Sequence, residues 1–165
     1  MFASRQGLCR PEAAGLDLRP EEWRRRTFRA AGEVPALLDD VVAALEALGY
    51  PRRDLFAVRL ALEEALVNAV KHGNRGNPAK EARLRYHAGP EFVLLEVEDE
   101  GEGFDPFAVP DPLAPENRLK TSGRGIFYMR TFMDDVRFRR HASGGMEIVL
   151  KKNLGAVNEK EENPA

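Results

Sequence analysis

The chain has 165 residues, with 25 basic and 27 acidic side chains and a formal net charge of -2. That length suits one ordinary domain, and that charge supplies no global field for a nucleic acid or a membrane surface. The single cysteine, Cys9, excludes an internal disulfide; no CxxC or Cys/His cluster offers a zinc site, and neither a signal-peptide core nor a run of about 18 apolar residues is present. A cytoplasmic protein with neither membrane nor nucleic acid as a direct partner is expected.

Residues 1–20 are polar and aperiodic and read as a flexible N-terminal arm. Glu22 to Ala30, with Trp23 and Phe28, reads as a strand, and Arg24, Arg25 and Arg26 as a solvated surface. Val34, Leu37, Leu38, Val41, Val42, Leu45 and Leu48 recur at helical spacing. Gly49 ends that helix, and Pro51 lies near the start of the next.

Asp54 to His72 is the most informative helix. Leu55, Val58, Leu62, Leu66 and Ala69 make one apolar stripe, and Ala57, Leu60, Ala61 and Val67 make a second. A helix apolar on most sides is buried on most sides. Glu64, Asn68 and Lys71 interrupt the second side, and burial of a lone carboxylate is costly, so something polar is expected over that face. Glu63 is expected to pair with Arg59, one turn earlier.

Gly73 to Pro78 is turn-rich. Lys80 to Ala88 alternates, with Ala82, Leu84 and Tyr86 on one face and Arg83, Arg85 and His87 on the other. Gly89-Pro90 marks a tight connection to a strand from Phe92 to Asp99. Period two puts Asp99 on the same face as Val93, Leu95 and Val97, so a carboxylate continues an apolar row. A long loop runs from Glu100 to Ser122 and has the character of a lid. Gly123-Arg124-Gly125 opens a helix from Ile126 to Met133, in which Phe127, Tyr128 and Phe132 read as core and lid packing. Asp135 to Arg140 and Met146 to Lys151 pair across Ser143-Gly144-Gly145. His87 and His141 read as surface residues. The domain spans residues 21–152, and 153–165 is a flexible tail. This order of elements is not regular βαβ. It predicts an α+β fold, a two-layer sandwich whose mixed, mostly antiparallel sheet carries helices on one face.

GxxxxGK[ST] is absent, both GxG triplets lack the third glycine of GxGxxG, and neither HRD nor DFG occurs. Four other features fit together. Glu64 and Asn68, four residues apart, share a helix face. Asp99 closes a strand and precedes Gly101 and Gly103; a long loop follows; and Ser122-Gly123-Arg124-Gly125 meets a helix start. An amide oxygen such as that of Asn68 can ligate Mg²⁺ already bound to a triphosphate. Glu64 can accept a proton from an attacking hydroxyl. Asp99 can accept a hydrogen bond from an adenine amino group, and glycine amides at a helix start can cradle phosphates.

Glu-Ala-Leu-Val-Asn at 64–68, extended to His72-Gly73, resembles the N-box of the histidine-kinase-like ATPases, the superfamily of gyrase-type topoisomerases and sensor histidine kinases. Asp-Glu-Gly-Glu-Gly-Phe at 99–104 resembles its next box, and Gly-Arg-Gly-Ile at 123–126 its glycine box after the lid. The resemblance runs from Leu37 to Lys151 and implies the Bergerat-type ATP-binding fold. The compact chain most resembles the anti-sigma-factor serine/threonine kinases of bacterial partner-switching systems. That resemblance implies ATP and Mg²⁺ as cofactors, with a sigma factor and a STAS-type anti-anti-sigma protein as partners, and a homodimer. It makes Glu64 the general base, Asn68 the magnesium ligand and Asp99 the adenine contact. The nucleotide-binding set expected from the boxes is Asn68, Lys71, His72, Asp99, Gly101, Gly103, Phe104, Thr121, Ser122, Gly123, Arg124, Gly125 and Ile126. The chain departs from the pattern at Met146, where related chains often carry Thr, and at Thr121, where many small members carry Arg; Lys120 and Arg124 lie close by in sequence. The alternative reading is an ATP-dependent binding module that sequesters a regulatory protein without phosphoryl transfer.

Overall fold

A computed structural model of the chain describes residues 18–102, 124–141 and 144–154. Most of the expected N-terminal arm, the lid-like loop beyond Glu102, the Ser143 position of the hairpin and nearly all of the tail lie outside the described residues.

Five strands form one sheet: β1 (Arg24–Phe28), β2 (Ala82–Ala88), β3 (Phe92–Asp99), β4 (Asp135–Arg140) and β5 (Met146–Asn153). Their order is β1-β2-β3-β5-β4. All four pairings are antiparallel, where a mixed, mostly antiparallel sheet is expected from the sequence. Register follows the alternation of side chains, because a slip of one residue would turn every apolar row outward. Leu84 lies opposite Val97, Val97 opposite Ile148, and Ile148 opposite Phe138. Leu95 lies opposite Leu150, and Ala82 opposite Asp99.

This inner face is covered by α1 (Val34–Ala47), α2 (Arg52–Asn68) and α3 (Arg124–Phe132). Helix α1 ends as its glycine predicts. Gly49 adopts φ 81°, Tyr50 N–H bonds to Leu45 O at 3.1 Å, and Gly49 N–H to Glu46 O at 3.0 Å. That is a Schellman stop, which an L side chain at residue 49 would strain. Helix α2 lies centrally, touching α1, α3 and the sheet. Val58, Ala61, Leu62, Ala65 and Leu66 are wholly buried, and each large aliphatic side chain among them stabilises the fold by about 1.5–3 kcal/mol.

Several details differ from the local reading. Helix α2 starts at Arg52, ahead of Asp54, and does not continue to His72 as α-helix: Ala69–Gly73 forms a wider π turn. Arg59 pairs with Asp39 of α1 at 3.0 Å, not with Glu63, because α1 crosses close to that flank of α2. His87 and His141 are half-buried. The His87 ring packs beside Trp23 and Phe92, and His141 Nε2 lies 3.3 Å from Glu98 Oε1. Among the described residues no helix is long and apolar enough to cross a membrane.

Candidate active site

The polar interruption of α2 is covered by the glycine-bearing start of α3. Glu64 and Asn68 are half-buried on adjacent turns, and the first turn of α3 lies over them. Contact is so close at Gly125 that an added Cβ would stand 2.6 Å from Glu64 Oε2 and 3.5 Å from Asn68 Nδ2. Glycine is needed there for the space it leaves to a carboxylate. The Glu64 carboxyl is raised above its ordinary range, chiefly by burial and then by the negative charge of Glu63. A carboxylate held toward its protonated form accepts a proton more readily, which is the property of a general base.

Asp99 ends β3 on the inner face and is only 5% exposed. Its Oδ1 accepts hydrogen bonds from the backbone N–H of Gly101 at 2.9 Å and of Met146 at 3.3 Å. Oδ2 takes no part in those two bonds and faces Gly73, where a Cβ would collide with it. Burial raises the Asp99 carboxyl; the two backbone bonds and His141 oppose the rise, Glu98 adds to it, and burial wins. The result is a fixed acceptor oxygen at the end of an apolar sheet row.

The π turn joins these two parts. It follows Asn68 directly and closes with Asn74 N–H bonded to Ala69 O at 2.8 Å. Such widened turns recur at functional sites because they displace the backbone from the regular helix. Here the displacement carries Gly73 against Gly101, so closely that a Cβ on Gly101 would overlap the carbonyl of Gly73. Three segments distant in sequence, 64–74, 99–101 and 124–125, thus meet through glycines.

Of the residues expected at the site, Glu64, Asn68, Asp99, Gly101 and Gly125 are drawn together. Lys71 and His72 lie exposed on the π turn. Arg124 is half-buried at the head of α3, and Ile126 belongs to the hydrophobic core, so its side chain serves packing. Gly103, Phe104, Thr121, Ser122 and Gly123 lie outside the described residues, as does Lys120. Sequence reasoning missed Asn74 and the Gly145-Met146 backbone. Met146 has its side chain in the core and its N–H on Asp99, a backbone contact that no residue type signals. Asn74 stands in a turn-rich stretch, where an Asn reads only as a turn former.

No group of three or more His, Cys, Asp or Glu side chains among the described residues forms a metal cage. The Asn68 amide is the donor at hand, and one neutral oxygen fits Mg²⁺ when phosphates and water complete the octahedron.

A family model described as the histidine kinase-like ATPase domain matches residues 28–152. The chain is 28% identical over 113 residues to the serine-protein kinase RsbW of Bacillus subtilis (strain 168), covering 65% of this chain and 69% of that protein. It is 32% identical over 120 residues to the anti-sigma F factor of Bacillus cytotoxicus, covering 72% of this chain and 82% of that one. A serine-protein kinase RsbW of Listeria innocua is 28% identical over 119 residues, with 68% and 73% covered.

Proposed function

Since the chain belongs to the family of histidine kinase-like ATPase domains, we propose that it is an ATP-dependent protein-serine/threonine kinase that sequesters a sigma factor. Its phosphoacceptor is a small anti-anti-sigma protein of the STAS type, and it works in the cytoplasm as a homodimer. The relatives named serine-protein kinase and anti-sigma F factor support this reading. The observation that carries it is Gly125 seated on Glu64 and Asn68; it supports reading the start of α3 as the phosphate cradle, Glu64 as the proton acceptor and Asn68 as the metal ligand.

The residues divide the work along the site. Asp99 Oδ2 accepts the adenine amino hydrogen, while Gly101 lets the turn after Asp99 close against Gly73. The amides at the head of α3 receive the phosphates. Asn68 would hold Mg²⁺, which when bound would supply charge neutralisation for the triphosphate. Glu64 takes the proton of the acceptor serine or threonine hydroxyl as its oxygen bonds to the terminal phosphorus. The bond from that phosphorus to the bridging oxygen breaks, and ADP leaves. Catalysis of this kind is mainly positioning and electrostatics.

Burial of the Met146 side chain favours a second reading. No side-chain hydroxyl is offered at that position, and the chain would then bind ATP and a partner without transfer. One experiment separates the two. Mg-ATP is titrated calorimetrically into wild type, Asn68→Ala and Glu64→Ala, and transfer of labelled phosphate to a STAS partner is followed in parallel. The kinase reading expects binding by wild type and Glu64→Ala, weakened binding by Asn68→Ala, and transfer by wild type alone. Wild type that binds but never transfers supports the binding module. Wild type that ignores Mg-ATP at millimolar concentration refutes both.

A further inference from the structure

Asn74 is buried to 2% exposure, takes no part in the chemistry above, and holds an unusual set of bonds. Its N–H closes the π turn on Ala69 O. Its side-chain Oδ1 accepts the N–H of Glu100 at 2.9 Å, across 26 residues of sequence, and Glu100 is the residue between Asp99 and Gly101. Its Nδ2 is buried with no hydrogen-bond partner among the described residues. A buried unpaired amide nitrogen costs on the order of 1–3 kcal/mol. The return for that cost is the Oδ1 bond, which ties the turn after β3 to the end of α2.

The surroundings show what the residue secures. Immediately beyond it, Arg75 sits at φ 53°, and its guanidinium pairs with Glu102 at 2.8 Å. Glu100 is also held from the residue before β2, its carboxylate accepting the N–H of Glu81 at 2.9 Å. The backbone from Asp99 to Glu102 is therefore gripped from two sides, and Asn74 is the buried grip on the side of α2.

We infer that Asn74 is a positioning residue for the base-binding end of the site, clamping the Asp99–Gly101 turn to the end of α2 so that Asp99 Oδ2 stays aimed at the base. This rests on the nucleotide-binding reading above. It acts through Asp99 and Gly101, not by contact with phosphate. Its loss therefore weakens binding of anything that carries adenine and leaves phosphate affinity alone, whereas loss of Asn68 does the reverse.

The test uses the full chain with Asn74→Ala and Asn74→Ser, measuring Kd for Mg-ATP, adenosine and Mg-tripolyphosphate, with amide exchange at Glu100 and a thermal melt for each variant. A serine hydroxyl is also an acceptor but is one bond shorter, so it reaches the N–H of Glu100 less well. Asn74→Ala is expected to weaken ATP and adenosine together by roughly tenfold, the worth of one well-placed hydrogen bond. Tripolyphosphate should stay within about twofold, Glu100 exchange should accelerate, and Asn74→Ser should fall between. A lower melting temperature with unchanged adenosine affinity in the folded variants marks a purely structural residue and overturns the proposal. Equal losses for adenosine and tripolyphosphate overturn it as well. If Asn74→Ala does not fold, Asn74→Ser decides by the same criteria. Failure of wild type to bind ATP or adenosine would instead sink the nucleotide reading, and this proposal with it.

Discussion

Replacing Gly125 by alanine tests whether Glu64 is the proton acceptor, because the new methyl group enters at the carboxylate and nowhere else. The added Cβ would stand 2.6 Å from Glu64 Oε2, whereas an ordinary contact begins at 3.4 Å. The nearest atom is the end of a flexible side chain, so the carboxylate gives way by about 0.8 Å and the backbone need not move. Asn68 Nδ2, at 3.5 Å, is already at contact distance and stays. A displacement near 1 Å at a reacting group costs up to about 100-fold in rate, so transfer should fall between roughly 10- and 100-fold. Alanine is the better helix former by up to about 1 kcal/mol, so stability should not fall. The assay is single-turnover transfer of labelled phosphate to a STAS partner at saturating Mg-ATP, with calorimetric Kd and a thermal melt as controls. The Kd should weaken less than transfer, because the backbone amides at the head of α3 keep their place while the carboxylate is displaced. Transfer at the native rate would refute the role given to Glu64. Collapse of both Kd and melting temperature would show that Gly125 is needed for the fold, and the contact with Glu64 would then carry no catalytic meaning.

Gly101→Ala should behave differently, because its Cβ meets the carbonyl of Gly73, which cannot swing aside. Loss of nucleotide affinity together with a lower melting temperature is expected; calorimetry and a melt check both. Asp99→Asn keeps an oxygen for the N–H groups of Gly101 and Met146 but removes a buried charge, so the apo-protein should melt no lower than wild type at pH 7 while adenosine affinity drops. Its pH dependence follows from the raised carboxyl: the contribution of Asp99 to stability is fully present below its unfolded value of 3.8 and is lost as pH rises through the higher folded value. The stability gap between Asp99→Asn and wild type should therefore close as the pH falls below about 4 in chemical denaturation. Glu64→Gln carries the same sign, with an unfolded value of 4.5, and should retain Mg-ATP binding while losing transfer.

Sequence alone shows well whatever repeats at short range. The alternation of Ala82, Leu84 and Tyr86 against Arg83, Arg85 and His87 is the observed division of β2 between core and outer face. The expectation that Asp99 continues the row of Val93, Leu95 and Val97 holds, since Asp99 pairs with Ala82 in the inner register. The stripes of α2 and its π turn are buried at Ala57, Val58, Ala61, Leu62, Leu66 and Ala69 and half-buried at Leu55, Leu60 and Val67. Long-range pairing is hidden. Nothing local says that β5 inserts between β3 and β4, that Arg59 chooses Asp39, or that Gly125 comes to rest on Glu64. The π turn is hidden too, because residues 69–73 satisfy a helical pattern until tertiary contact with the Asp99 turn pulls Asn74 inward. The partial shielding of His87 beside Trp23 and of His141 beside Glu98 is hidden as well, because both partners are distant in sequence.

Both functional carboxylates share one physical condition. Glu64 is pushed toward its neutral form by burial and Glu63, and Asp99 by burial against the pull of two backbone N–H groups. A core selected for stability alone would carry amides or apolar groups at both places. Buried charge-bearing groups that work against the fold are retained where a bound partner meets them. On the proposed function, that partner is a hydrogen-bond donor at Asp99 and a proton from an attacking hydroxyl at Glu64. Glu64 lies on α2 ahead of the π turn and Asp99 lies against Gly73 at its far end, so a ligand that satisfies both must reach along it, with a donor-bearing planar group at one end and a reacting phosphate at the other. ATP has that shape. Adenosine alone or tripolyphosphate alone meets only half of it, and each should bind more weakly than ATP by a margin that the Asn68 and Asn74 variants divide between them.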